Sequence, residues 1–449
     1  MRKVTVSALF AMMMGGSIQA VHAAEYTEYC AGIVFRETPF ADIRCARPLS
    51  REAVGETKHF ELDYDVDGRL LEVRHSQTGE LRAFSDRFVR APRVTIQYQN
   101  DQEIRQFYNE WGHRSLVSGD VYEARFDLDE KGRRMALVFY GLDGKPLDND
   151  FGISRYEWDV REDGEVIERR YNTAGELVRN RPGFGYMVTR FAYDARGLLT
   201  RMYNLGESGE MLTADEAGIA MTEISYNRHG QFSGWLNLDM EGKARRGMSD
   251  IAEIVYEPSQ YSSEQVAIFN DADGSPQTTG WGAHKVVYEF DHYGNAIARF
   301  LYGVDGMPVN TNTGVGQIKS TWSERGAYLL KDQYFDKDGN PAASGYSGVH
   351  SIVTSLGSNG RPQTITYQDL NGNPTVHKGE GYATEQFEFD GEGRLISRRF
   401  MDTNGSLVDH GTWGVARFEY EHAADGRLVS VRSYTAAGEE KLAAWNPAH

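Results

Sequence analysis

The side chains best equipped for chemistry in this chain are its carboxylates, histidines and cysteines, and their spacing argues against a catalytic centre. Sixty-five acidic residues and 12 histidines are spread over 449 positions. No G-x-S-x-G elbow occurs, the nearest string being Gly345-Tyr346-Ser347-Gly348, and H-E-x-x-H, P-loop and G-x-G-x-x-G patterns are missing. Asp409-His410 stands beside a turn, where such a pair is usually solvated. Glu207 with Glu210, and Asp215 with Glu216, have the composition of a glycosidase pair, but in so acidic a chain such neighbours arise by chance. Alternating carboxylates at Asp127-Leu128-Asp129, Asp271-Ala272-Asp273 and Asp336-Lys337-Asp338 suggest calcium. A calcium loop needs about six to eight oxygens and usually a distant bidentate Glu, which none of the three supplies, so they read as turn residues. No catalytic residue, metal site or cofactor is expected, and the chain reads as a non-enzyme.

Cys30 and Cys45 are the only cysteines. Ahead of them, Arg2 and Lys3 precede an apolar run from Val4 to Ile18, with small residues near Ala23 and Ala24, so residues 1–24 have the form of a secretory signal peptide. The mature chain is then expected in the periplasm or secreted, where an isolated pair closing a short loop forms a disulfide. The two are too far apart for a C-x-x-C redox motif, and no histidine cluster joins them as zinc ligands. A net charge of −17 argues against nucleic acid, whose phosphates demand a basic face. No later stretch approaches the roughly 20 apolar residues of a membrane helix. Charged residues interrupt every candidate strand, which disfavours a lipid-facing barrel.

The elements that must carry these residues are repeats. Gly79, Gly112, Gly144, Gly175, Gly209, Gly242, Gly274, Gly306, Gly339, Gly372, Gly405 and Gly438 recur with a mean period of about 33 residues. A second series, Tyr64, Tyr98, Phe126, Trp158, Tyr193, Tyr226, Tyr256, Phe290, Trp322, Leu356, Phe389 and Tyr420, runs through the same units. Most members are followed by an acidic residue and a glycine, as in Tyr64-Asp65-Val66-Asp67-Gly68 and Phe389-Asp390-Gly391-Glu392-Gly393. The Asp carboxylate can accept a backbone N–H two residues on, and glycine takes the left-handed conformation that closes the turn. Pro146, Pro276, Pro308, Pro341 and Pro374 follow the other glycine series and should end strands. Between turns the pattern alternates, Tyr122, Ala124 and Phe126 against Glu123 and Arg125, so one face is aromatic and the other charged.

Each unit is therefore a β-hairpin, and the expected fold is all-β: about twelve tandem hairpins of about 33 residues in a curved or spiral antiparallel sheet. Residues 25–58 are expected to cap the first repeat, with a Cys30–Cys45 disulfide, residues 59–442 to form the array and 443–449 a tail.

The Tyr-Asp-x-x-Gly-[Arg/Asn]-Leu units resemble the YD repeats of RHS and teneurin-like proteins, in which hairpins follow one another in a long spiralling sheet. The period here is longer, and Gly438 stands so near the end of the chain that no carboxy-terminal toxin domain is expected. The resemblance thus implies a hairpin-repeat fold more than toxin delivery. Aromatics in register are expected to pack one unit on the next. Those outside it, Trp111, Trp235, Trp281, Tyr346 and Trp413, are the candidate binding residues, with Trp281 and Trp413 equally placed to pack the loop between hairpins. The expected function is binding or scaffolding of a protein or polysaccharide at the bacterial cell envelope. The alternative is a toxin-associated shell or carbohydrate-active enzyme with its active groups inside a closed spiral.

Overall fold

The computed structural model describes residues 24–82, 89–181, 185–247 and 250–443. Nearly all of the expected signal peptide and tail lies outside these residues. Among them, 27 strands form one antiparallel sheet, and the single helical turn, Arg51–Val54, is capped by Ser50. Twenty-four of the strands pair as twelve successive hairpins, from His59–Tyr64 with Leu70–Gln77 to Arg417–His422 with Leu428–Tyr434. Each hairpin bonds to the next and the ends do not meet, so the sheet is an unclosed array of tandem units.

The turns explain why these residues form these elements. The Asp65 Oδ1 accepts N–H bonds from Asp67 at 3.0 Å and Arg69 at 2.8 Å, and Asp129, Asp194, Asp369 and Asp402 repeat the arrangement. All twelve glycines of the long-period series take positive φ, between 72° and 86°, a region that charges other residues for their Cβ. The five prolines do not simply stop strands. Each forms a single bridge back to the last residue of the preceding strand, as Pro146 to Tyr140 and Pro374 to Gln368.

A third turn in each unit is less legible. Gly119, Gly152, Gly218, Gly282, Gly314, Gly348, Gly381 and Gly414 all take positive φ, with Asp250 in the same register. These inter-hairpin turns stack on one another through backbone bonds. The N–H groups of Asn312, Gly345, Lys378 and Gly411 donate to the carbonyls of Trp281, Thr313, Ser347 and Glu380 at 2.7–3.1 Å. A hydrogen-bonded ladder of loops thus runs along one edge of the sheet.

The aromatic register needs one correction. A bulge precedes the first turn at Tyr64, Tyr193, Tyr226, Phe290, Trp322, Leu356 and Phe389 of the aromatic series, but falls at Leu128 and His422, two residues past the series members Phe126 and Tyr420. Because strand side chains alternate with period two, Phe126 and Tyr420 still share the inner face. Residues at the end of the first strand of a hairpin use their polar atoms. Tyr98 and Tyr226 hydroxyls, the Trp322 indole and His422 Nε2 donate to the carbonyls of Leu70, Leu199, Ala296 and Leu395 in the preceding hairpin, at 2.9–3.3 Å.

The sheet coils. Seven hairpins after the first, the Lys58 N–H donates to the Tyr293 carbonyl at 2.9 Å, and the Gln77 amide donates to the Arg325 carbonyl at 2.9 Å. The eighth and ninth hairpins therefore lie along the edge of the first, and a second winding begins. One face of the sheet points inward throughout, and in the first winding it carries the main core of Leu62, Val94, Phe126, Trp158, Phe191 and Phe232.

Candidate functional site

The strand Tyr26–Cys30 pairs with His59–Tyr64, covering the first edge of the array, and Cys30 is joined to Cys45 with a Cα–Cα distance of 5.5 Å. Among the described residues, the one group of metal-ligand side chains close enough to share an ion is Glu28 with these two cysteines, whose sulfurs are already bonded to each other. The segment that follows does more than cover an edge. It turns into the first winding, where Phe35 stacks on Phe232 at 4.4 Å and Phe40 packs against Trp158 at 5.6 Å. Thr38 donates to the carboxylate of Glu168, which is wholly buried and also accepts from the Trp158 indole at 2.7 Å and from Arg170 at 2.5 Å.

Beside this segment the first winding encloses a chamber of about 680 Å³. Its apolar wall includes Phe107, Val121, Phe139, Met202, Ile224 and Trp235. Its charged lining is Arg36, Glu37, Arg90, Arg105 and Arg181, and Arg105 belongs to a buried ionic cluster. Glu103 bridges Arg105, at 2.6 Å, and Arg134, at 2.8 Å, with both guanidinium groups also lying over the Phe126 ring. Burial opposes ionisation of Glu103, but the two arginines prevail and hold its carboxyl down at about 2. Arg36 donates to the carbonyls of Ala41 and Pro39 from inside the same cluster. Burial, then Arg105 and Arg134, push its pKa well below the ordinary value, against the pull of Asp42 and Glu103.

The five candidate aromatics do not form one site. Trp235 lines the chamber. Trp111 lies at the seam between windings, where its indole N–H meets the Tyr328 hydroxyl, its ring meets Phe389 edge-on at 4.8 Å and Arg361 lies over it. Trp281, Tyr346 and Trp413 sit on the ladder of loops. Trp281 packs edge-on against Phe269 at 5.7 Å, and Tyr346 is 64% exposed. Tyr346 and Trp413 are nevertheless connected by a row of rings, His377, Tyr367, Tyr382 and His410, with neighbouring centroids 4.1–6.2 Å apart. The Tyr367 hydroxyl donates to Glu380 at 2.5 Å and lies 3.2 Å from that of Tyr382.

This row borders the inner face of the second winding, which differs from the first. Tyr334, Ile352, Ile365, Phe387 and Val431 face inward, yet all remain half-buried. Here Glu385 is paired with Arg398, while Asp332 rests on Ser320 at 2.5 Å with its carboxyl raised by burial. Sequence reasoning passed over Glu103, Arg105, Glu168, Arg170, Glu385 and Arg398. The signal available was parity: in paired strands they stand in the register of the aromatic face, not of the charged one.

No protein-family model matches the chain, and no curated protein does. Among solved structures, the chain is similar to the crystal structure of TcdB2-TccC3-Cdc42, at 13% identity over 87% of this chain and 26% of that chain, with a TM-score of 0.18. It is likewise similar to TcdB2-TccC3, at 12% identity over 86% and 26%, with a TM-score of 0.18, and to the PQQ domain of pyranose dehydrogenase from Coprinopsis cinerea, at 11% over 78% and 97%, with a TM-score of 0.10. The chain spans about a quarter of the length of the two TcdB2-TccC3 chains. At TM-scores this low the likenesses have no bearing on function.

Proposed function

We propose that the chain is a non-catalytic, YD-repeat-like binding protein that holds an extended segment of a partner protein against the inner face of its last four hairpins, in the periplasm or outside the cell. The carrying observation is internal to the molecule. In the first winding the inner face is covered by the chain's own extended segment around Phe35 and Phe40, whereas over Gln317–Tyr434 the same face buries Tyr367, Phe400 and Phe418 but leaves Tyr334, Ile352, Ile365, Phe387 and Val431 half-buried. A sheet face with Tyr334, Ile352, Ile365 and Phe387 half-buried is the kind that a second polypeptide covers. The chain's charge of −17, with Asp332 and Glu380 on or beside this face, favours an apolar segment carrying basic residues. The Cys30–Cys45 disulfide is compatible with export, and no described helix is long and apolar enough to cross a membrane. The enclosed-shell alternative draws less support, since a chamber of about 680 Å³ is of small-molecule size.

The test is site-specific photocrosslinking in cells. A photoreactive residue at Ile352, Ile365 or Phe387 should capture one and the same protein, through one contiguous peptide, while the same probe at outward-facing Lys319 or Thr364 should not. Crosslinks to polysaccharide alone, or equal capture from both faces, would overturn the assignment.

A further inference from the structure

Two histidines hold the last loops of the ladder, and they do so as hydrogen-bond acceptors. His377 Nδ1 accepts the N–H of Glu380 at 3.1 Å, and His410 Nδ1 accepts the N–H groups of Thr412 at 3.1 Å and Trp413 at 3.4 Å. A backbone N–H only donates, so each ring carries its hydrogen on Nε2, and a proton added at Nδ1 destroys the acceptor. Elsewhere in the ladder the same bond is made to oxygens of Asn149 and Thr311, which acidification leaves unchanged. His284 and His350 have the opposite polarity, their Nδ1 facing the carbonyls of Phe269 and Ala342 at 2.8 Å, and protonation leaves those bonds intact.

The surroundings offer a protonated ring a second partner. Glu380 stands between the two loops: its carbonyl accepts the Gly411 N–H at 2.7 Å, and its carboxylate accepts the Tyr367 hydroxyl at 2.5 Å. Against the pull of burial, the Tyr367 and Tyr382 hydroxyls and both imidazoles hold the Glu380 carboxyl below its ordinary value. The other charged groups around the loops are engaged elsewhere or exposed. Glu385 pairs with Arg398, Lys441 donates to the Gly414 carbonyl, Asp409 accepts the Ala436 N–H, and Lys378 is exposed. Tyr346 and Tyr367 pack on His377, and Tyr382, Phe400 and Trp413 on His410.

We propose that His377 and His410 form an acid-operated latch on the docking face, a regulation that rests on the partner-docking assignment above. Below the ordinary imidazole value of about 6.5, each ring gains a proton, releases its loop N–H groups and turns its charge to Glu380. The two loops open together, because Glu380 donates to one histidine and accepts from the loop of the other. Tyr382 packs on Phe400 at 4.9 Å and Trp413 on Phe418 at 5.8 Å, so opening withdraws the floor of the face and frees the segment held there.

Hydrogen exchange on the purified full chain, corrected for the intrinsic rate, tests the latch without any partner. Between pH 7.5 and 5.5, protection of the Glu380, Thr412 and Trp413 amides should fall at least tenfold, while that of Val315 in the Thr311 loop holds. The double variant His377→Asn, His410→Asn, whose Oδ1 stands where Nδ1 stood, should stay protected at both pH values. Imidazole nitrogen-15 shifts of the parent, which need no variant, should show Nδ1 unprotonated at pH 7.5 and protonated at 5.5. In envelope extract, the protein captured by a photoreactive residue at Ile365 at pH 7.5 should be lost at 5.5 by the parent and kept by the double variant. Unchanged loop protection, equal loss at Val315, a double variant as acid-sensitive as the parent, or capture that persists while the loops open would each overturn the proposal. Capture of no protein at either pH would count against the docking assignment instead, with exchange still deciding whether the loops open in acid.

Discussion

Trp111 and Tyr328, separated by 217 residues in sequence, meet where the second winding crosses the first, the indole Nε1–H donating to the tyrosine hydroxyl at 3.2 Å. The bond joins a loop after the second hairpin to the turn of the ninth, and Arg361 of the tenth and Phe389 of the eleventh close on the same indole.

Trp111→Ala should therefore loosen the seam without unfolding the first winding. For a half-buried tryptophan the expected loss is about 2 kcal/mol. Chemical denaturation followed by near-UV circular dichroism should show the loss, and hydrogen exchange should rise mainly in hairpins nine to eleven. Trp111→Phe should cost only about 1 kcal/mol, the value of the indole bond.

The bulge tyrosines offer a paired comparison. Tyr226 donates to the Leu199 carbonyl at 2.9 Å, so Tyr226→Phe should lower stability by about 1 kcal/mol. The Tyr193 hydroxyl is buried with no partner, so Tyr193→Phe should be neutral or stabilising. Equal losses from the two variants would contradict the inter-hairpin bonding described above.

Glu110, beside Trp111, gives a pH dependence of definite sign. Burial lifts its carboxyl from 4.5 to about 7, against the opposing pull of its own backbone N–H and of Arg361. Between those values the folded chain keeps a proton that the unfolded chain releases, so this group's contribution to stability falls as pH rises from 4.5 to 7 and is constant above. Glu110→Gln should be more stable than the parent at pH 8, by up to about 3 kcal/mol, with the difference gone below pH 4.5. Urea midpoints at the two pH values measure it.

Removing residues 374–406 excises one unit of the repeat. Pro374 bridges to Gln368 and Leu407 bridges to Met401 in the same way, so the junction of Asn373 to Leu407 keeps the register of the turn. The shortened chain should fold, with unchanged circular dichroism per residue and a single unfolding transition. Loss of all cooperative unfolding would show that the windings fold only as a whole.

The repeat was legible because its turns are chemical. Asp65 and Gly68, or Asp402 and Gly405, can do little but bend the chain, and counting them locates the hairpins. The third turn was missed because its accepting residue changes from unit to unit: Asn149, Asp215, Thr279, Thr311 and His377 all cap the same loop position. Trp111 stands outside the aromatic register and was read as a candidate binding residue; that its neighbours are Tyr328 and Phe389 follows from the pitch of the coil, which no local pattern encodes. The buried charges were hidden for a related reason. Arg105 looks like any strand arginine until the chain from Phe35 to Phe40 is placed inside the coil.

Coiling with seven hairpins per winding also divides the evolutionary freedom of the chain unequally. A unit gained or lost ahead of the seventh hairpin would shift every pairing across the seam, so that Tyr328 no longer arrives at Trp111. The same change among the last hairpins leaves all earlier neighbours where they were. The opening half of the molecule is thereby held to a fixed length, and lineages of this chain should differ in size by whole units added or dropped near the carboxyl end.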